Sequence, residues 1–178
     1  MWVYEKNNQI LYYKDVNFNF KSSICFTSFN KTLIKNYINN EINIPLFDKK
    51  VAYFLKMIIE KGSSVVVIEN QFNKSQQEIK NNINYFMKQL KKILNVELPI
   101  LFIFILTKNK YKKPCTNILV KIKELYLKNK LDTENKTGNL NNIDEKKDYQ
   151  ENIIDISKCI GIGTNAGRMG NFVYKKDT

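Results

Sequence analysis

The sequence predicts an α/β protein: a three-layer, Rossmann-like parallel β-sheet with helices on both faces, preceded by a short β-hairpin. Three observations lead there. Four segments are continuously apolar instead of alternating, the pattern of strands buried on both faces. Longer stretches with helical periodicity separate them. The order is strand, helix, strand, helix, strand, helix, strand, and right-handed crossovers turn that order into a parallel sheet between helical layers.

The elements follow in turn. Residues 1–21 contain Gln9–Lys14 and the alternating Val16-Asn-Phe-Asn-Phe20, read as the two arms of an antiparallel hairpin. The first core strand is Ser23–Ser28. A helix follows Pro45 and stops at Gly62, with Val51, Phe54, Leu55, Ile58 and Ile59 on its apolar face. The second strand is Ser64–Glu69. The second helix carries Ile79, Ile83, Phe86, Met87, Leu90, Ile93 and Leu94, and opens with Ser75-Gln-Gln-Glu78, a capping box that satisfies two orphan amides. Leu98–Leu106 is the third strand. Ile118, Leu119, Ile122, Leu125 and Tyr126 define the third helix, with Thr116 as its candidate N-cap. Residues 130–152 are polar and read as a mobile surface loop. Lys158–Gly163 closes the sheet. All 178 residues fit a single domain.

Composition limits the chemistry. There is no histidine, which excludes Ser-His-Asp and Cys-His catalysis and histidine metal sites. Cys25, Cys115 and Cys159 lie far apart without a CxxC pair and read as small buried residues. The opening MWVYEKNNQ lacks the uninterrupted apolar core expected of a signal peptide, and the longest apolar run, Leu98–Leu106, falls short of the roughly 20 residues of a membrane span. An intracellular protein without membrane contact is expected, the nucleus being one compartment open to it. Lys and Arg number 29 against 17 acids, a formal charge of +12 that favours polyanions such as DNA or RNA. Against this, the Lys-, Asn- and Ile-rich composition has the style of an AT-rich genome. Arg168 is the only arginine, although phosphate readers usually exploit the guanidinium fork.

Ligands of open parallel sheets sit beyond the carboxyl ends of the strands. Here those ends carry Thr27-Ser-Phe-Asn-Lys-Thr-Leu-Ile34, Glu69-Asn-Gln71, Lys112-Lys-Pro114 and Gly163-Thr-Asn-Ala-Gly-Arg168. In order and spacing they resemble the four motifs of the 3′-phosphatase domain of polynucleotide kinase/phosphatase, in the haloacid-dehalogenase-like superfamily. In that family the motifs read roughly FDLDGTLI, TNQ, RKP and GDAAGR. The entry segment with Trp2 and Leu11-Tyr-Tyr is similar as well, and the resemblance covers nearly the whole chain.

What the resemblance implies is a magnesium-dependent DNA-repair hydrolase, but the chain departs from it at the reacting atoms. The family's aspartate nucleophile corresponds to Ser28, its general acid/base to Asn30, its phosphate-binding threonine to Glu69 and its motif-four acid to Thr164. The motif-three lysine is kept as Lys113. The family would continue past Thr178 with a second acidic stretch and one more strand, so a truncated or decayed product is one expectation. An amide cannot shuttle a proton, and a serine needs a base that is not evident. Magnesium prefers anionic oxygens, so neither a metal site nor a cofactor is expected. Glu69 is expected to face Lys113 as an ion pair filling the old phosphate site, the alternative being that both point into solvent. Arg168 and Lys113 are the candidate nucleic-acid contacts; the lysines at 74, 80, 88, 91 and 92 read as a solvated helix face. Two functions follow: a catalytically silent relative kept as a nucleic-acid-binding or assembly module with a possible protein partner, or a working Mg-dependent polynucleotide 3′-phosphatase. Oligomeric state is left open.

Overall fold

The computed structural model describes residues 1–35, 44–108, 110, 117–137 and 158–162. A six-stranded mixed sheet runs through them in the order β1-β2-β5-β4-β3-β6. β3 (Ser23–Thr27), β4 (Ser63–Asn70), β5 (Ile100–Ile105) and β6 (Ile160–Ile162) are mutually parallel where they pair. The chain steps from β3 to β4 to β5 on one side and then returns to place β6 on the other side of β3. That reversal puts the sheet's switch point, where a crevice opens at strand ends, directly beside the loop after β3.

Continuous apolar strands produce two cores, one on each face. Cys25, Val65, Val67, Ile100, Phe102 and Phe104 point to one side, where α1 (Lys50–Glu60) and α2 (Gln76–Leu94) cover them. Ile24, Val66, Ile68, Leu101, Ile103 and Ile105 point to the other side, against α3 (Asn117–Thr137) through Ile118 and Ile122. All six residues of β5 are buried. Each such side chain contributes about 1.5–3 kcal/mol by leaving water, which makes β5 the spine of the sheet. α2 begins as the sequence requires: Ser75 Oγ accepts from Glu78 N–H at 3.2 Å and Glu78 Oε2 accepts from Ser75 N–H at 2.8 Å. It ends at Asn95, whose left-handed φ of 56° lets its N–H reach the Lys91 carbonyl. No helix among the described residues is long and apolar enough to cross a membrane.

Three local expectations are corrected. The hairpin exists, but its arms are β1 (Trp2–Glu5) and β2 (Ile10–Lys14), and Val16–Phe20 is not a strand. Asp15 turns the chain there: its carboxylate accepts from Asn17 N–H at 2.9 Å and its carbonyl from Phe18 N–H at 3.1 Å, which drops Phe18 into the core. β2 then pairs antiparallel with β5, so the hairpin widens the main sheet. On α1 the buried face is Ala52, Leu55 and Ile58, whereas Phe54 is turned outward, because a helix with apolar residues on every side cannot bury all of them against one sheet. α3 continues to Thr137, so residues 130–137 are helical; no glycine or proline interrupts the stretch from Asn117 to Thr137. The remainder of the proposed loop and the Thr116 cap lie outside the described residues.

The hairpin is tied to α3 by one buried cation. Lys121 Nζ lies 2.7 Å from Glu5 Oε1 and 3.2 Å from Glu124 Oε2. Burial works against its ammonium, but the hydrogen bonds to Glu5 and Glu124 outweigh it and hold the group above the usual lysine range. Lys121→Met should cost about 1.5–3 kcal/mol in urea unfolding, mostly through the Glu5 carboxylate left without its partner. Burial also pushes the Cys25 thiol up to about 11. Cys25 should therefore resist iodoacetamide at pH 8 in the native protein and react once urea unfolds it.

Candidate functional site

The loop after β3 is held from three directions. Ser28 N–H donates to the Ile162 carbonyl of β6 at 3.2 Å, fixing the loop's origin at the switch point. The Phe29 carbonyl accepts from Leu33 N–H at 3.0 Å and Ile34 N–H at 3.2 Å, which folds residues 29–34 into a closed turn. The Phe29 ring points down into the core, where it meets Phe86, Phe102 and Phe104 edge-on at centroid distances of 5.2, 6.0 and 6.2 Å. Such pairs add about 0.5–1.5 kcal/mol each beyond burial, so this ring nails the loop to the sheet. Lys31 takes a left-handed φ of 59° at the tip, a conformation that costs a side chain about 1–2 kcal/mol.

With the loop so fixed, the N–H groups of Phe29 and Asn30 both aim at the end of β4. Glu69 stands there, and its Oε2 accepts from Phe29 N–H at 2.8 Å and from Asn30 N–H at 3.1 Å. Two convergent amides on one carboxylate oxygen form an oxyanion cradle, and hydrogen bonds to an ionised acceptor are about twice as strong as neutral ones. Beside it, the Ser28 hydroxyl lies 2.9 Å from that of Thr32. Neither hydroxyl is a base, so the pair by itself cannot raise Ser28 to a nucleophile. Among the described residues no three of His, Cys, Asp and Glu stand together as a metal-binding group.

The structure thus brings Ser28, Asn30 and Glu69 together at one strand-end crevice. Lys113, Thr164 and Arg168 lie outside the described residues, and with them the expected Glu69–Lys113 pair. What is seen of Glu69 is its grip on the loop amides.

A family profile described as polynucleotide kinase 3 phosphatase matches residues 16–138, well over half of the chain. The chain belongs to the polynucleotide kinase 3 phosphatase family. Its fold is also that of a haloacid-dehalogenase-like phosphatase from Mesorhizobium loti, at a TM-score of 0.58 and 13% identity over 68% of this chain and 67% of the other. None of the curated proteins matches.

Within this polynucleotide kinase 3 phosphatase fold, two contributors escaped the sequence reading. Phe29 is one. Its signal was available, since it is the lone large apolar residue between the polar positions 28 and 30. Lys31 is the other: it occupies the place of the glycine in the family's FDLDGTLI loop and keeps a glycine-like backbone.

Glu69→Ala should lower stability by about 1–3 kcal/mol, because two part-buried N–H groups lose their acceptor. Inorganic phosphate at millimolar concentration should raise the melting temperature of that variant and leave the wild type unmoved. A wild type stabilised as much as the variant would show that the carboxylate does not fill the cradle. Lys31→Gly should add about 0.5–1 kcal/mol by relieving the left-handed side chain, net of glycine's greater unfolded-state entropy.

Proposed function

We propose that this chain is a catalytically silent member of the polynucleotide kinase 3 phosphatase family, acting as a polynucleotide-binding or assembly module. The observation that carries the reading is the Glu69 carboxylate seated on the Phe29 and Asn30 amides. An incoming phosphate would have to displace a tethered anion already hydrogen-bonded twice, and its own charge would be repelled while that anion stayed. The residues at the family's reacting positions add to this. Ser28 offers a neutral hydroxyl engaged with Thr32, and Asn30 an amide with no titratable proton near neutral pH. Magnesium sheds its waters reluctantly and favours anionic oxygens, so these donors do not suit it.

Among the described residues the fold, in contrast, is well formed. Both apolar cores, the capped α2 and the loop anchored by Phe29 remain as a catalytic domain would need them. A sound scaffold with unsuitable chemical groups fits a role in binding. The formal charge of +12 favours a polyanionic ligand.

The deciding assay is phosphate release from a 3′-phosphorylated oligonucleotide in the presence and absence of magnesium. No release above the protein-free control is expected. Magnesium-dependent turnover abolished by Lys113→Ala would overturn the reading in favour of a working 3′-phosphatase. Isothermal titration with magnesium should give no heat for the wild type. The triple variant Ser28→Asp, Asn30→Asp, Glu69→Thr should acquire measurable heat, since it regains two carboxylates and loses the plug.

A further inference from the structure

α1 breaks two local rules at once. Its outward face is apolar: Tyr53 is 59%, Met57 41% and Phe54 37% exposed, and Phe47, just before the helix, is 56% exposed. Elsewhere the exposed large apolar side chains are scattered singly along the described residues. Its N-terminus carries exposed Lys49 and Lys50 against the positive end of the helix dipole. Asp48 offsets part of that charge and caps the turn, its carboxylate accepting from the Lys50 backbone N–H at 2.7 Å. Unfavourable charge and bare rings placed together mark a surface shaped for something other than stability.

That surface leads straight from the loop beside Glu69. Lys35 N–H donates to the Pro45 carbonyl, Ile34 bridges Leu46, and Phe47 N–H donates to the Leu33 carbonyl at 3.0 Å. The exposed Phe47 therefore sits against the far side of the turn that carries Lys31, and α1 continues outward from it. Rings alternating with lysines along a path out of a strand-end crevice are what a single-stranded polynucleotide uses: π-faces for its bases and cations for its phosphates.

We propose that a single strand of DNA or RNA lies along this path, its bases stacking on Phe47, Tyr53 and Phe54 and its phosphates lying near Lys31, Lys49 and Lys50. The inference rests on the polynucleotide-binding reading above and gives it a location. A second copy of the chain suits the face less well, since two surfaces rich in lysine on chains of +12 would repel.

The test uses the whole chain and a fluorescent oligo-dT without a 3′ phosphate, titrated from low to physiological salt. Tyr53→Leu with Phe54→Leu keeps apolar bulk and removes the rings. It should weaken binding about tenfold or more and leave the salt slope unchanged, because base stacking is worth about 1–3 kcal/mol per base. Lys49→Gln with Lys50→Gln should flatten the slope by roughly 1.4, two phosphate contacts at about 0.7 each on a single strand. Lys88→Gln with Lys92→Gln, on α2, should change neither, and every variant should melt as the wild type does. Binding that survives the ring substitutions at full strength overturns the path while the binding reading stands. No binding at low salt removes both. Displacement of the oligonucleotide by a Glu- and Phe-rich peptide that holds more tightly would make the face a protein dock and also overturn the proposal.

Discussion

The carboxylate of Glu69 and the two amides that hold it are the contact from which the site is best understood. Backbone N–H groups of a turn are obligate donors, and a turn left without acceptors would be costly wherever water is excluded. In this chain the acceptor is supplied internally, from the end of the neighbouring strand. The register places Val67 opposite Thr27, the last residue of β3, while β4 runs on to Asn70, so Glu69 lies two residues beyond that pair, beside the loop amides it accepts from. Parallel pairing thus sets the reach of the side chain, which meets the two loop amides at the strand-end crevice.

Phe29 determines whether that contact can form. Its N–H faces Glu69 while its ring is clamped by Phe86 from α2 and by Phe102 and Phe104 from β5. One residue links the apolar core to the polar crevice. Packing fixes the ring, the ring fixes the peptide plane, and the peptide plane aims the donor. The left-handed Lys31 follows from the same geometry: the turn is over-determined by its anchors, so it keeps its path even where the residue at its tip resists.

Much of the fold was legible because its signals are local and strong. Unbroken apolar runs gave the parallel strands, and Ser75 with Glu78 gave the start of α2 to the residue. The hairpin was misplaced because Val16–Phe20 alternates like a strand, while Asp15 forms a turn whose effect depends on burying Phe18. The pairing of β2 with β5 is a long-range contact with no trace in either segment alone. Phe54 was assigned inward because periodicity cannot say which part of an all-apolar helix meets the sheet. At the site, the substitutions at 28, 30 and 69 were visible in the motifs. The expected pairing of Glu69 with Lys113 lies outside the described residues; the backbone amides of Phe29 and Asn30 that Glu69 holds are groups every residue carries and no sequence pattern marks.

A packed scaffold and a cradle filled from within the chain bear on each other. Decay without constraint would erode the core as readily as the crevice, since most random substitutions in buried positions cost stability. Here the buried clusters on both faces are closely filled, and the turn retains its shape through Phe29 while carrying lysine in a glycine-like conformation. A glutamate at the second strand end satisfies the loop amides from within the chain. An acceptor tethered to β4 holds the turn without need of an external anion. A surface used for recognition gains from that order, because less conformational entropy remains to be lost on binding. The same contact therefore steadies the turn against which Phe47 and the start of α1 are placed.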